Sequence, residues 1–412
     1  MLLQRLIGSS IVLAIPSFCV VVPKNKVYVA DVYIPEVRND DQFYNVDISF
    51  NNQVLPVLVD TGSGDILVAA DTCNVVDVSS GCYLCETFKT KGVKLLEPFG
   101  TTVGEGSALG NTSSLNVEVG GLRVPQMSTP LINWAVADEF QDGSFSGILG
   151  LGPNNVSRNL HFNGHLPLID EMIKRRLLEK PVFSLSLPRL GDPMSPPKGK
   201  LTLGGIEEIH KDVSITYNDI IDNPNYNYDG FPLQPQSWTA QLQAVRMNGK
   251  VIPVQRGDLD PKGRYLSLMD SGSQQLMFRR QEFTAIAAAF KGKTIVQAET
   301  AVYFDCSIPQ LLELKYHDRW FPVDPLDLII PSDHGMKDGK ELCHAALGVW
   351  DRTFADSIIG VPFLRNVISV FDYVKFETYT VQPRLGLAGL TDAEYAMERV
   401  KWDARNDIQD SI

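Results

Sequence analysis

The chain has 412 residues, 44% of them apolar, with a formal charge of −12 and a pI of about 5.0. That is enough apolar material for two domains or one large two-lobed unit. The acidic balance excludes a surface built to hold nucleic acid or anionic membrane, which requires clustered Lys and Arg. The 32 glycines and 25 prolines suit a turn-rich β protein.

In chain order, Arg5 precedes an apolar run from Leu6 to Val22 with small residues near its end. Residues 1–22 read as a secretory signal peptide, the alternative being a short membrane anchor. Val27–Ile34 reads as the first strand. Tyr44–Phe50, Leu115–Val119 and Val367–Phe371 alternate or run continuously apolar between Gly, Pro or Asn, and read as further strands. Helical periodicity is confined to Leu166–Leu178, Arg280–Phe290 and Ile308–Leu314. Residues 188–199 read as a loop, and the polar, Tyr- and Pro-rich stretch 219–237 as the boundary between halves. The divisions expected are a first lobe over 23–218, a second over 219–390 and a charged tail over 391–412. That tail is expected to form an exposed helix without chemistry of its own.

A secretory route implies an oxidising compartment, where Cys73, Cys82, Cys85, Cys306 and Cys343 are expected to form disulfides. The simplest scheme pairs Cys73 with Cys82 or Cys85, and Cys306 with Cys343. The Cys82-x-x-Cys85 spacing has no second pair and no nearby His, so it is a poor zinc or redox motif. Asn111 and Asn155 open glycosylation sequons. His161 and His165 have i, i+4 spacing, but Gly164 intervenes and no carboxylate motif accompanies them, so no metal is expected. No nucleophile elbow supports a serine triad.

An internal repeat is the most informative feature. Residues 57–64 read Val-Leu-Val-Asp-Thr-Gly-Ser-Gly and residues 267–273 read Ser-Leu-Met-Asp-Ser-Gly-Ser. Gly147-Ile-Leu-Gly150 follows the first and Ser357-Ile-Ile-Gly360 the second. Gly150 lies 90 residues after Asp60, and Gly360 lies 90 residues after Asp270. The pattern predicts one duplicated lobe, its two Asp loops related by a pseudo-twofold axis.

One Asp-Thr-Gly alone is a turn. Two related by a twofold axis bring Asp60 and Asp270 face to face. Carboxylates in contact cannot both ionise, so they share a proton and serve as base and acid at one pH. A water between them can then attack an amide carbonyl. Gly62 and Gly272 permit close backbone approach, Thr61 and Ser271 can reach the opposite loop, and Ser63 and Ser273 can bond the outer carboxylate oxygens.

These loops resemble those of the pepsin family of aspartic endopeptidases. Lys200-Leu-Thr-Leu-Gly-Gly205, Ile358-Ile-Gly-Val-Pro-Phe-Leu-Arg365 and Arg384-Leu-Gly-Leu387 extend the resemblance over about Phe43 to Leu390. It implies an all-β bilobal fold with a cleft between β-barrel-like lobes and no cofactor or metal. It also implies acid-favoured cleavage of peptides beside bulky apolar residues. Cys306 and Cys343 match the second-lobe disulfide, and Cys73 the start of the first-lobe one. A secreted or vacuolar monomer acting on peptides is expected, without nucleic-acid or stable membrane partners.

Two departures stand out. The stretch resembling the family's flap is Val103-Gly104-Glu105-Gly106-Ser107, with Val103 where the family has Tyr. That Tyr's Trp partner is replaced by Leu67. The expectation is an active enzyme with a larger subsite under the flap. The alternative is a pepsin-fold protein with little or no proteolytic activity, a binding protein or an enzyme of different chemistry. Only about twenty residues separate Val22 from Tyr44, so a long inhibitory pro-segment is not expected.

Overall fold

The computed structural model describes residues 26–35, 43–75, 86–103, 106–136, 144–189, 195–196, 198–207, 213–221, 237–292, 294–337, 340–351, 354–373 and 383–400. The expected signal peptide, Cys82, Cys85, Gly104, half of the 188–199 stretch and most of the 219–237 stretch lie outside the described residues.

The first half contributes β1 (Tyr28–Tyr33), β2 (Asn45–Phe50), β3 (Gln53–Asp60), β4 (Ile66–Val75), β5 (Pro98–Val103), β6 (Gly106–Val119), β7 (Leu122–Val136) and β8 (Gly147–Gly150). Helices α1 (Arg158–Asn163) and α2 (Leu168–Lys174) then precede β9 (Val182–Ser186) and β10 (Gly199–Leu203). The β2–β3 hairpin turns through Asn51 and Asn52, with φ of 47° and 69°. Paired left-handed residues give a turn whose twist matches its strands, and Asn tolerates that region better than most side chains.

The second half contributes β11 (Thr216–Asp219), β12 (Thr239–Gln241), β13 (Ala244–Met247), β14 (Lys250–Pro253), β15 (Leu266–Met269), β16 (Leu276–Phe278), α3 (Arg280–Ala287), β17 (Thr294–Gln297) and β18 (Ala301–Asp305). It continues with β19 (Leu312–Tyr316), β20 (Arg319–Val323), β21 (Ile329–Lys337), β22 (Lys340–Ala345), β23 (Leu347–Val349), β24 (Ser357–Ile359), α4 (Val361–Leu364), β25 (Val367–Asp372) and β26 (Arg384–Gly389). A last helix, α5, covers residues 393–400. The protein is thus all-β with short helices, in the expected class.

Two sequence expectations need correction. Ile308–Leu314 is not helical: Asp305 caps a turn at Ser307, and residues 312–316 form β19. There Leu312, Leu314 and Tyr316 are spaced by two and all buried, which is strand periodicity. Finally, α5 is docked rather than exposed, with Ala396 at 1% and Val400 at 6% exposure.

The lobes share one sheet of order β11-β26-β25-β9-β10-β1-β2-β3-β8-β4-β7-β6-β5. The antiparallel β25–β9 pairing, Ser369 to Leu185 through Asp372 to Val182, joins them. Phe183 and Phe371 stack across that junction with ring centroids 4.5 Å apart, and Trp238 meets both edge-on. The repeat is explicit in register. β3 pairs parallel with β8 through Leu58–Ile148 and Val59–Leu149, and β15 pairs parallel with β24 through Leu268–Ile358 and Met269–Ile359. Both catalytic-loop candidates therefore leave the end of a strand whose parallel neighbour is offset by the same interval.

Candidate active site

Asp60 closes β3, and Asp270 directly follows β15. Each loop turns back beneath the other through four reciprocal bonds. Thr61 Oγ1 donates to Met269 O (2.9 Å) and accepts the Ser271 N–H (2.9 Å). Ser271 Oγ donates to Val59 O (2.7 Å) and accepts the Thr61 N–H (3.0 Å). Thr61 and Ser271 are each 1% exposed, so these bonds are shielded from competing water. A hydroxyl is required here because it donates and accepts at once.

The carboxyls meet above this lattice. A Cβ added at Gly62 would lie 2.6 Å from Asp270 Cγ, and one at Gly272 would lie 2.7 Å from Asp60 Oδ1. Each carboxyl thus rests on the opposite loop's glycine, in a space that any side chain would close. The Gly62 N–H donates to Asp60 Oδ1 (2.8 Å), and Ser63 Oγ donates to Asp60 Oδ2 (2.5 Å). The Gly272 N–H donates to Asp270 Oδ1 (2.9 Å). The Ser273 hydroxyl does not match the expected outer-oxygen bond: it donates to Gln275 O at 3.4 Å. Burial, and next the negative charge of Asp60, push the Asp270 carboxyl well above the usual range. Two buried carboxyls in contact raise the cost of ionising both, which favours the protonated form of Asp270.

Sequence reasoning passed over two residues that hold this site. Asp65, 7% exposed, accepts Ser157 Oγ (2.5 Å) and the Arg158 N–H (2.7 Å), tying the first loop to the start of α1. Trp238, fully buried, donates its indole N–H to Leu151 O across the lobes (2.9 Å), while the Leu151 N–H bonds Asp60 O (2.7 Å). Its sole signal was an isolated Trp just after the polar boundary stretch.

Val103 pairs with Gly106 and Thr102 with Ser107, so β5 and β6 form the expected hairpin, its tip at Gly104 lying outside the described residues. Leu67 is 2% exposed and shares a cluster with Phe99, Ala108, Phe145 and Ile148. Leu58 and Ile148 of that cluster stand two positions before Asp60 and Gly150, on the same faces of their strands. The apolar floor beneath the hairpin is therefore continuous with the Asp60 side of the sheet.

The remaining candidates are structural. The Cys306–Cys343 disulfide is formed, and Cys73 packs half-buried beside the Leu67 cluster. Asn155 is only 8% exposed and Ser157 of its sequon is fully buried, so the fold has no room for a glycan there; Asn111 is partly exposed. The His161 ring bonds Asn155 O (2.8 Å), and His165 faces Glu97 at 3.7 Å. Among the described residues no group of His, Cys, Asp or Glu has the arrangement of a metal site.

A model of the eukaryotic aspartyl protease family matches residues 42–382. The chain belongs to the eukaryotic aspartyl proteases. It is 26% identical to human napsin-A over 369 residues, spanning 87% of this chain and 80% of napsin-A. It is 27% identical to syncephapepsin of Syncephalastrum racemosum over 83% of this chain and 77% of that protein. It is 29% identical to rat cathepsin D over 81% and 78%. This aspartyl protease is accordingly an aspartic-type endopeptidase that acts on peptides or proteins. Both of its candidate carboxyls come from one chain.

Proposed function

We propose that this protease hydrolyses peptide bonds with a water activated between Asp60 and Asp270, and that it works best in acid. The observation that carries the reading is the contact of the two carboxyls over Gly62 and Gly272. Asp60, bonded by Gly62 and Ser63, is the base that takes a proton from the attacking water. Asp270 donates its proton to the carbonyl oxygen, so the tetrahedral intermediate forms without a free oxyanion. The two return to their starting forms as the leaving amine is protonated. Raising the pH far enough to remove the shared proton removes the acid and stops turnover. Membership of the family supports selectivity for apolar side chains beside the scissile bond. Val103 stands where the family's flap has Tyr, and the smaller residue type supports a wider subsite at the hairpin, while Leu67, at the position of that Tyr's Trp partner, is packed in the closed cluster beneath it. The N-terminal signal pattern and the disulfide support a secretory route, and the enzyme works as a single chain.

The test is cleavage of a fluorogenic peptide from about pH 3 to 7. Expected is a bell-shaped kcat/KM, inhibition by pepstatin, and a loss of at least about 10³-fold in Asp60→Asn and Asp270→Asn. Undiminished cleavage by either variant, or none by the folded parent at any pH, would overturn the reading.

A further inference from the structure

The tail dismissed by sequence reading docks into a buried polar hub between the lobes. Arg399 on α5 donates Nη2 to Asp324 Oδ2 at 2.7 Å, and the Asp324 side chain is 3% exposed. Thr391 donates its hydroxyl to Asn366 Oδ1 and accepts from Arg189 Nη2 at 3.4 Å. The Leu390 N–H bonds Asn366 O (2.9 Å) and the Asp324 N–H bonds Asn366 Oδ1 (3.0 Å). Asn366 in turn donates to Asp327 Oδ2 (2.7 Å). Arg189, arriving from β9 in the first half, grips both Asp327 oxygens through Nε at 3.1 and 2.9 Å.

From this hub a chain of bonds reaches the catalytic loops. Arg365, beside Asn366, contacts Asp327 (3.4 Å) and donates Nε to the Tyr44 hydroxyl (2.5 Å). Tyr44 O accepts the Val59 N–H (2.8 Å), and Val59 O accepts Ser271 Oγ (2.7 Å). Val59 directly precedes Asp60. The cluster has three guanidiniums and two carboxylates. Without Arg399, the cation left to Asp324 among the described residues is Arg189 at 4.0 Å, which also pairs with Asp327. A buried carboxylate stripped of its partner forces rearrangement of the groups around it.

We propose that the segment 391–400 is a positioning element of the active site. By pinning Asn366 and Asp324 it fixes Arg365 on Tyr44, and hence how closely the Asp60 loop meets the Asp270 loop. The inference rests on the carboxyl-pair reading above. It assigns a catalytic consequence to residues that touch neither substrate nor the reacting water.

The test compares the parent with Arg399→Gln, Arg399→Lys, Thr391→Val and a chain ending at Leu390. Active sites are counted by pepstatin titration, well below each melting temperature. If the segment positions the pair, Arg399→Gln and the shortened chain lose about fivefold or more in kcat per site, with KM within about twofold. The two limbs of their pH–rate profile draw together, because carboxyls further apart perturb each other less. Arg399→Lys restores most of the loss. A lower melting temperature with unchanged kcat per site and unchanged limbs overturns the proposal, leaving a stability role only. If the shortened chain and Arg399→Gln do not fold, Thr391→Val, which loses one hydroxyl, decides by the same two readouts. The parent's loss of activity on Asp60→Asn is scored separately. Its absence removes the carboxyl-pair reading, whereas an active parent matched by Arg399→Gln removes this inference alone.

Discussion

Asp170 on α2 is fully buried, and among the described residues neither of its carboxyl oxygens has a hydrogen-bond partner in another residue. Burial pushes it up from 3.8 to about 8. Between those values the folded state keeps a proton that the unfolded chain has released, so stability falls as pH rises through that window. The slope approaches about 1.4 kcal/mol per pH unit and the whole effect is of the order of 5 kcal/mol. Asp170→Asn, which cannot ionise, is expected to melt with the parent near pH 3 and at least about 4 °C above it at pH 7 by thermal denaturation. The sequence did not disclose this residue, because an Asp in the first turn of a helix ordinarily faces water and favours the helix dipole. The two supporting serines divide similarly. Ser63→Ala removes a donor to the Asp60 carboxyl and is expected to lower kcat about tenfold, while Ser273→Ala, whose hydroxyl bonds Gln275 O, stays within about twofold. The repeated Asp-hydroxyl-Gly-Ser pattern made the serines look equivalent; their different bonds appear only in three dimensions.

At the scale of elements, α1 depends on its entry. Ser157 accepts the Leu160 N–H (3.0 Å) and donates to Asp65, so one hydroxyl both caps the helix and satisfies a buried carboxylate. Ser157→Ala is expected to cost about 2 kcal/mol or more in denaturant unfolding, above a simple cap deletion, because Asp65 loses its bond as well. The flap hairpin is the converse case, where a larger residue is the perturbation. The Leu67 cluster is closed, Phe99 at 5% and Phe145 at 0% exposure. Leu67→Trp alone should therefore overpack it and cost about 1–3 kcal/mol, measured in the same experiment. Strands with alternating residues, such as β2 and β19, were open to reading by period. The Ile308–Leu314 misreading arose because a short apolar run satisfies helix and strand templates together until its burial is known.

Across the whole molecule, crosslinks act both within a lobe and between the lobes. The Cys306–Cys343 bridge closes a separation of 37 residues within the second lobe. Chain entropy puts its contribution at about 3–4 kcal/mol, so the Cys306→Ser/Cys343→Ser protein should lose about that much in guanidinium unfolding, confined to the second lobe's transition. Between the lobes, the β25–β9 ladder, the Trp238–Leu151 bond and the Arg189–Asp327 ion pair keep the pseudo-twofold axis in place.

The sequence by itself determined the duplicated architecture, the two Asp loops and the second-lobe disulfide. These follow from local rules, in which a strand running into Asp-hydroxyl-Gly forms the same turn wherever it occurs, and equal spacing places both turns alike. Only the tertiary structure decided which hydroxyl serves which carboxylate, that Asp170 is stranded in the core, and that Arg399 and Thr391 reach the Asn366 hub. Those outcomes depend on groups far apart in the chain meeting in a low-dielectric interior, where one partner 2.7 Å away outweighs any local preference.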